Sequence, residues 1–372
     1  MLHLQNVTLD NIAKRIKREK MRIVVYGAGM IGKIVAPDMI QRYDLLENID
    51  CYVDCDVRKQ GKYITIGDKP VKICSPTVLD SIAQNSILFI TNSNYSVVLA
   101  TLDENKHLNG MDAIIIPVMQ ALAVKERTNA TEIILRNYSE ELIPKKIHYC
   151  WFSGKEMPDY LKKCIESWHE KCPEYEIIRW DESNYDIHKN IYMEQAYNAQ
   201  KWGFVPDFAR LDILYTYGGF YLDTDVELLQ SLNDLRGQGA FCGVEKWGNI
   251  NMGGCSGAMK HHPMIGEMLA YRENIPFVYP DGTMNLETCG VYETQPFIKH
   301  GMAINNSTQR INDMTVFSSD FFHPYDYMSG ETILTKHTFS IHHFNGGWLN
   351  EQARQARTDT MEKYNQIVKR ME

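Results

Sequence analysis

Two aspartates separated by a single threonine, Asp223 and Asp225, follow a short apolar run at positions 220–222. If that run is a β-strand, both carboxylates point to the same side at its end, where they repel each other unless a positive charge lies beside them. Mg²⁺ or Mn²⁺ meets that need, because these ions prefer oxygen ligands and commonly bridge carboxylates to substrate phosphates. Acidic turns of this kind are also common on protein surfaces, so the surrounding residues decide the chemistry.

The segment before this pair predicts a helix, a turn and the strand that carries the aspartates. Pro206 is typical of a first helical turn, and the pair Gly218 and Gly219 is typical of a helix end. On that helix Asp207 and Arg210 lie about one turn apart, away from the apolar face. The strand then ends in the acidic pair, and open α/β sheets usually bind their ligands at the carboxyl ends of their strands.

Several blocks of the sequence resemble one family, the DxD-containing sugar transferases often called glycosyltransferase family 32. The family includes yeast α-mannosyltransferases, bacterial capsule glycosyltransferases and, more distantly, clostridial toxin glucosyltransferases. The resemblance covers about residues 141–350 and rests on the blocks IPKKIHYCWFSGKEMP (143–158), SWHEKCPEYEIIRWDESN (167–184), WGFVPDFARLDILYTYGGFYLDTDVELL (202–229), NINMGGCSGAMKHHPM (249–264) and SIHHFNGGWLN (340–350). It implies a GT-A fold, a nucleotide-sugar donor and transfer with retention at the anomeric carbon.

The resemblance implies donor contacts within the DxD block. Asp207 and Arg210 would bind hydroxyls of the donor sugar, Asp223 would bind the sugar and the ribose, and Asp225 would bind the metal. These assignments suit the chemistry, because a guanidinium presents a fixed fork of donors and carboxylates accept paired hydrogen bonds from vicinal hydroxyls. A second interpretation of Asp207, compatible with the first, is a helix cap that pairs with Arg210.

Two other blocks imply further donor-site residues. His148, Trp151 and Phe152 would lie near the nucleotide, although His148 fits equally well as a packed core residue. Asn251 would bind the donor from a loop that lies near the acceptor in relatives, or would instead stabilise a Gly-rich turn. Each of these residues therefore has a structural alternative beside its functional one.

The last block resembles a His-rich strand that is followed in relatives by a small residue and a tryptophan. There the resemblance implies His343 as the first candidate for a metal ligand, His342 as the second, and Trp348 as a contact to the diphosphate. Gly347 stands where relatives often have serine. This departure argues against a hydroxyl ligand at that position.

A glycine-rich turn near the N-terminus is a second candidate site. Gly27, Gly29 and Gly32 match GxGxxG, and Asp54 follows the next predicted strand, where a dinucleotide fold holds a ribose hydroxyl. Glycines also occur at strand-to-helix turns simply because the turn is tight. This half resembles the Rossmann-like N-terminal domains of bacterial sugar-modifying enzymes, so a nucleotide-linked ligand or only a partner would fit it.

The pattern of elements predicts an α/β protein with two domains. Apolar strands are expected at residues 21–26, 49–53, 86–90 and 112–118, and a long helix is expected at 121–142. Strands that alternate with helices indicate a small parallel sheet with right-handed crossovers. We therefore expect a Rossmann-like N-terminal domain over residues 1–140 and a GT-A glycosyltransferase domain over residues 141–372.

The composition of the chain limits the classes of partner and the cellular location that are expected. The 372 residues carry a formal net charge of −8, which argues against a nucleic-acid partner because binding a phosphate backbone needs surplus Lys and Arg. The nine cysteines show no paired metal-binding spacing. The first 20 residues are polar and charged, unlike a secretory signal, so a cytoplasmic protein is expected, with association at the inner face of the membrane as one possibility.

The sequence thus predicts a Mn²⁺- or Mg²⁺-dependent, retaining hexosyltransferase. A UDP-sugar is the favoured donor, and a saccharide or lipid-linked acceptor in capsule, lipopolysaccharide or other surface polysaccharide synthesis is expected from the resemblance. One alternative is an NAD-dependent sugar-modifying enzyme that uses the N-terminal GxGxxG. Another is a non-catalytic protein that binds nucleotide sugars.

Overall fold

The structure is a computed structural model that describes residues 1–6, 8–127, 140–346 and 351–371. The chain divides into two compact units, the first formed by Met1–Arg127, Tyr327–Gly330 and Asn350–Glu372, and the second by Thr128–Asp326 and Glu331–Leu349. In this division the C-terminal helix groups with the first unit, whereas the sequence assigned residues 141–372 to one domain. The boundary near residue 140 stays a prediction, since residues 128–139 lie outside the described part.

The first unit is built on a seven-stranded sheet. Its elements are β1 (His3–Leu4), α1 (Leu9–Glu19), β2 (Arg22–Tyr26), α2 (Ala36–Arg42), β3 (Ile49–Val53), β4 (Tyr63–Ile66), β5 (Lys69–Cys74), β6 (Ser86–Ile90), α3 (Tyr95–Glu104), β7 (Asp112–Ile115), α4 (Ile116–Arg127) and, from the end of the chain, α11 (Glu351–Met371). The strand order is β1-β7-β6-β2-β3-β5-β4, and all pairs are parallel except β4 with β5. Every residue of β6 and β7 is buried, as expected for parallel strands covered on both faces.

The second unit contains a mixed sheet and a small separate ribbon. Its elements are β8 (Lys146–Cys150), α5 (Asp159–Lys171), β9 (Glu176–Trp180), α6 (Ile191–Asn198), α7 (Pro206–Tyr217), β10 (Gly219–Tyr221), β11 (Val226–Leu228), β12 (Ala240–Val244), β13 (Ile250–Asn251), β14 (Ser256–Ala258), α8 (Pro263–Arg272), α9 (Cys289–Lys299), β15 (Gln309–Ile311), β16 (Met314–Phe317), α10 (Ser319–Phe322) and β17 (Ser340–His342). The sheet order is β15-β16-β12-β14-β10-β8-β9, with β13 beside β12, and β11 pairs with β17.

An aromatic core holds this sheet and the ribbon together. Trp168 on α5 is fully buried and donates from its indole Nε1 to the carbonyl of Val226 on β11 at 2.7 Å. Phe220 on β10 packs against Phe241 on β12, and Phe241 packs in turn against Phe317 on β16. The segment between β10 and β11, which contains the two aspartates, is therefore fixed at both ends by buried strands.

Most of the elements expected near the aspartates are confirmed. Helix α7 begins at Pro206 and ends at Tyr217, where Gly218 adopts a left-handed φ of 65°. The strand expected at 112–118 ends at Ile115, and the next residue begins α4. Of the helix predicted at 121–142, residues 121–127 lie in α4, whereas residues 140–142 are not helical. The α/β fold class is confirmed, with a mostly parallel sheet in the first unit and a mixed sheet in the second. The GT-A type of the second unit stays a prediction.

The length and hydropathy of each helix decide whether it could span a membrane. Within the described ranges, none of the helices is both long and apolar enough to cross a bilayer.

Candidate functional site

The acidic pair lies in a short connection between two neighbouring β-structures. Strands β8 and β10 are parallel, and after β10 the backbone N–H of Leu222 donates to the carbonyl of His148. The next N–H, of Asp223, donates to the carbonyl of Gly253 at 2.8 Å. Strand β11 then begins at Val226, opposite His342 of β17. Backbone contacts on both sides thus set the direction of the two carboxylates.

A third potential ligand completes this acidic pair. The ligand atoms of Asp223, Asp225 and His342 all lie within 4.8 Å of one another. His342 Nε2 is 3.3 Å from Asp225 Oδ1, and the backbone N–H of Asn345 donates to Asp225 Oδ2 at 2.8 Å. Burial opposes ionisation of Asp225, but the charge and hydrogen bond of His342 outweigh it and lower the pKa of Asp225 to about 2. The carboxylate is therefore ionised at neutral pH.

His342, the last residue of β17, and His343, the residue after it, exchange their expected order as candidates for the metal ligand. His342 faces Asp225, whereas His343 Nε2 lies 3.0 Å from Glu227 Oε2 at the exposed side. The preference for His343 as the metal ligand is thus corrected, because successive residues of a strand point to opposite faces and only His342 shares a face with the acids. His342, the second candidate for the metal ligand from the sequence, is therefore the histidine that faces the two acids.

These three residues fit a divalent cation. Two carboxylates and one imidazole are a donor set that suits Mn²⁺ or Mg²⁺, with open positions left for phosphate oxygens. The other ring nitrogen of His342, Nδ1, is buried and has no hydrogen-bond partner among the described residues. Nε2 is the nitrogen that faces the acids, 3.3 Å from Asp225 Oδ1, so it is the atom of His342 that would bind the ion.

A buried ionic cluster lies behind Asp223. Asp207 and Arg210 were expected on the polar face of their helix, yet each is only 3% exposed. Arg210 Nη2 is 3.2 Å from Asp207 Oδ1 and 3.5 Å from Asp223 Oδ1, so it joins the two acids. Arg272 of α8, also buried, reaches Asp207 Oδ2 at 3.5 Å and lies over the ring of Tyr192. Since Val205 is the N-cap of α7, Asp207 acts within this ionic cluster and not as the helix cap.

Besides Arg272, the sequence missed a second member of this cluster, Glu293 of α9. Its side chain is fully buried, with Oε1 3.4 Å from Arg210 Nη1 and Oε2 accepting from the N–H of Met252 at 2.9 Å. Burial raises the pKa of Glu293 to about 7, although Arg210 opposes that shift. A single acid among apolar residues of a helix was the only signal of its presence, since its partners are distant in sequence.

Asn251 supports the glycine-rich turn, as its structural alternative proposed. Its Oδ1 accepts from the N–H groups of Gly253 and Gly254 at 2.8 and 3.1 Å, and its Nδ2 donates to Glu245 at 2.8 Å. A Cβ on Gly253 would lie 2.0 Å from Asp223 Oδ2, so the turn lies directly against the carboxylate. Both amide atoms of Asn251 are thus occupied by protein groups, and the residue acts by shaping this turn.

The three residues expected near the nucleotide base lie in different environments. His148 is fully buried, accepts from Trp180 Nε1 at Nδ1 and therefore donates from Nε2 to the carbonyl of Gly218 at 2.9 Å. Phe152 is buried edge-on against Tyr185, while Trp151 is partly exposed and donates to the carbonyl of Lys155. Both ring nitrogens of His148 are engaged, which supports packing as its role and leaves Trp151 as the accessible member of the three.

Trp348, expected at the diphosphate, lies outside the described residues together with Gly347. Its contact to the diphosphate stays a prediction.

The N-terminal glycine turn forms in the first unit, but its acid is already engaged. Asp54 Oδ2 accepts from the N–H of Ala28 at 2.7 Å, and Oδ1 accepts from the N–H of Asp56 at 2.8 Å. Gly27 has a φ of 114°, and a Cβ on Gly32 would lie 2.1 Å from the Gly27 carbonyl. A Cβ on Gly29 would meet nothing within 4 Å. Two of the three glycines are therefore required by the turn itself, and nucleotide binding at this site stays a prediction.

Comparisons with known proteins agree with this site. Residues 158–242 match the family described as glycosyltransferase sugar-binding region containing DXD motif. The chain is 28% identical over 200 residues to an uncharacterized glycosyltransferase of Acanthamoeba polyphaga mimivirus, covering 49% of this chain and 74% of that protein. It is 35% identical over 101 residues to inositol phosphoceramide mannosyltransferase 3 of Schizosaccharomyces pombe, covering 25% of this chain and 27% of that protein.

A solved structure is also similar to this chain. The structure titled PaToxG Glycosyltransferase matches with 18% sequence identity and a TM-score of 0.33, covering 50% of this chain and 79% of that chain. A score of that size is too low to establish a shared fold.

Proposed function

We propose, because residues 158–242 match the family of DXD-containing glycosyltransferases, that the second unit binds a nucleotide sugar through a divalent cation and transfers the sugar to a saccharide acceptor. The family match and the relatives named as glycosyltransferases support glycosyltransferase activity. The observation that carries the finer proposal is the group formed by Asp223, Asp225 and His342, whose ligand atoms converge within 4.8 Å beside a buried arginine.

The proposed metal site would serve the leaving group. Asp225 and His342, with Asp223, would hold Mn²⁺ or Mg²⁺, which when bound supplies positive charge to a departing nucleoside diphosphate. Asp223 is the most exposed of the cluster, with 25% of its side chain accessible, so it is also free to accept from donor hydroxyls. Arg210 would orient the sugar from below, since Asp207 and Glu293 hold its guanidinium in place.

Retention at the anomeric carbon is the proposed stereochemical course. Among the described residues around the site, Glu293 and Asp207 are buried and bound to arginines, and Glu227 is paired with His343. None of these carboxylates is offered to a donor as a free nucleophile, which favours a same-face route in which the leaving diphosphate activates the acceptor hydroxyl.

The donor and acceptor are proposed as classes. A UDP-linked hexose or N-acetylhexosamine is the favoured donor, and the mannose named in the titles of the fission yeast relatives makes a mannose donor the first alternative. The proposed acceptor is a growing surface polysaccharide or lipid-linked saccharide, reached in the cytoplasm or at the inner face of the membrane. Pocket shape, and not the acidic pair, chooses the sugar.

A donor-hydrolysis screen tests this proposal. The purified chain is incubated with UDP-glucose, UDP-galactose, their N-acetyl forms and GDP-mannose, each with manganese, magnesium or EDTA, and release of nucleoside diphosphate is followed. We expect one donor to be hydrolysed well above the others, with activity lost in EDTA and restored by manganese. Equal hydrolysis with and without the metal would contradict the metal role, and tight binding without turnover would favour a nucleotide-sugar-binding protein.

A further inference from the structure

Glu293 is a fully buried carboxylate that lies outside every motif of the sequence. Removing a carboxylate from water is costly unless good partners compensate for it. Its charge is not needed to balance the buried cluster, because the two cations Arg210 and Arg272 already face Asp207 and Asp223. A third acid in this position therefore calls for an explanation other than neutralisation.

The two oxygens of Glu293 bind groups that hold Asp223 from different sides. Oε1 lies 3.4 Å from Arg210 Nη1, and the other terminal nitrogen of Arg210 lies 3.5 Å from Asp223 Oδ1. Oε2 accepts from the N–H of Met252 at 2.9 Å, and the next residue, Gly253, accepts from the N–H of Asp223 at 2.8 Å. One carboxylate thus connects the arginine to the glycine turn, and both of these contact Asp223.

We infer that Glu293 is a positioning residue that fixes the Arg210 guanidinium and the turn at residues 252–254 relative to each other. It thereby sets the geometry of the part of the site that would bind the donor sugar. The inference rests on the proposed function for its effect on turnover. Glu293 would not touch the donor itself, because its side chain is fully buried and both oxygens are engaged. Its effect would pass through Arg210, whose fork of donors is useful only in a fixed orientation.

The first test replaces Glu293 by glutamine, which keeps the shape and an oxygen that accepts from Met252 but removes the charge that holds Arg210. We expect kcat/KM for donor hydrolysis to fall about 10–100-fold at pH 8, mostly through kcat. Glu267→Gln is the matched control and should keep wild-type activity, because Glu267 is a partly exposed acid on α8 that pairs with Lys299 and His300. Should Glu293→Gln fail to fold, Glu293→Asp, whose shorter side chain cannot span both partners, takes its place.

The pH profile separates positioning from a merely structural role. The groups that face Glu293 are Arg210 and Asp207 from α7, Arg272 from α8, Cys242 from β12 and Cys289 from its own helix. Protonation removes the charge that holds Arg210, so the ratio of wild-type to Glu293→Gln activity should shrink as the pH falls through about 7. A ratio that stays constant from pH 5.5 to 8.5, or a variant with unchanged kcat/KM, overturns the inference.

A measurement without donor keeps this inference distinct from the proposed function. The metal-free protein is studied by ¹⁵N NMR of its arginine side chains. In the wild type the two terminal nitrogens of Arg210 should give separate signals, because the guanidinium is restrained. In Glu293→Gln these signals should be averaged by rotation of the guanidinium. If the wild type hydrolyses no nucleotide sugar, the proposed function fails while these spectra still decide on positioning. Restrained and unchanged Arg210 signals in the variant overturn the inference, whatever the activity.

Discussion

Both units of the chain place aspartates just after a β-strand, but these aspartates meet different surroundings. In the first unit, Asp54 accepts from two backbone N–H groups of its own loops and lies 3.3 Å from Lys59 Nζ. In the second unit, Asp223 and Asp225 lie beside each other and beside His342. An acid whose oxygens are satisfied by its own loops stabilises the turn, whereas two acids held together against their repulsion favour a cation.

The glycines of the two units differ in the same way. A Cβ on Gly32 would meet the Gly27 carbonyl, which belongs to the same turn. A Cβ on Gly253 would meet the carboxylate of Asp223, which belongs to another segment and to the proposed site. The first close approach therefore serves folding, and the second brings a backbone turn against a functional side chain.

The largest expected effect comes from the acids themselves. Asp225→Asn should lower sugar transfer by roughly 10²–10³-fold or more at saturating manganese, because the neutral amide is a poor ligand for a hard cation. The matched variant Asp54→Asn should leave the rate per folded molecule unchanged. Initial rates with the best donor, together with circular dichroism, measure both. A near-normal rate for Asp225→Asn would show that the second unit does not need this carboxylate for transfer. An equal loss of rate in Asp54→Asn would show that the aspartates of the two units do not differ in their effect on the reaction.

A smaller effect is expected from adding one methyl group beside Asp223. Gly253→Ala should lower kcat/KM by about 10–100-fold, because either the carboxylate or the turn must shift by more than 1 Å to accommodate the Cβ. Gly29→Ala is the control, since its Cβ would meet nothing within 4 Å. Kinetics of donor hydrolysis over a range of manganese concentrations should show a raised metal requirement in Gly253→Ala alone. Identical kinetics for the two variants would mean that the turn does not constrain Asp223.

Gly32→Ala should act on stability and not on activity. The new Cβ would lie 2.1 Å from a backbone oxygen, and relieving such an overlap costs about 1–3 kcal/mol. Hydrogen exchange of the amides in β2 and α2 reports this cost within the first unit, with Gly29→Ala again as the reference. If Gly32→Ala instead abolished donor hydrolysis in the folded protein, the glycine turn would take part in the reaction.

Local signals predicted the elements that carry the acids. Pro206 and Gly218 marked the ends of α7, and the apolar run after them marked the strand, because helix termini and short buried strands depend on adjacent residues. The α/β class followed from the alternation of strands and helices. The order of His342 and His343 could not be predicted, since it depends on which face of β17 meets the acids once β17 pairs with β11.

Burial of the ionic cluster escaped prediction because its members come from distant segments. Arg210 and Glu293 are 83 positions apart, and helical periodicity placed Asp207 and Arg210 on a face away from the apolar one without indicating what covers it. In the structure, α8 and α9 bring Arg272 and Glu293 against that face. A polar stripe on a helix indicates either solvent or a buried partner, and one sequence alone does not separate the two.

A last prediction concerns His148 and tests whether this residue is part of the scaffold. Burial lowers the pKa of His148 to about 4, so between about pH 6.5 and 4 the unfolded chain binds a proton that the folded chain does not. The free energy of unfolding should therefore fall as the pH drops through that window, by at most about 3 kcal/mol from this group. His148→Gln, whose amide can donate to Gly218 and accept from Trp180, should flatten this part of the pH dependence.

The measurement can be confined to the second unit, because all six tryptophans lie between residues 151 and 348. Urea unfolding followed by tryptophan fluorescence at pH 7.5 and 4.5 gives the comparison, with His188→Gln as an exposed control. A pH dependence that is the same in His148→Gln as in the wild type would show that His148 is not held neutral by the fold. It would then be available to a nucleotide after all, and the division between scaffold and ligand-binding residues in the second unit would have to be redrawn.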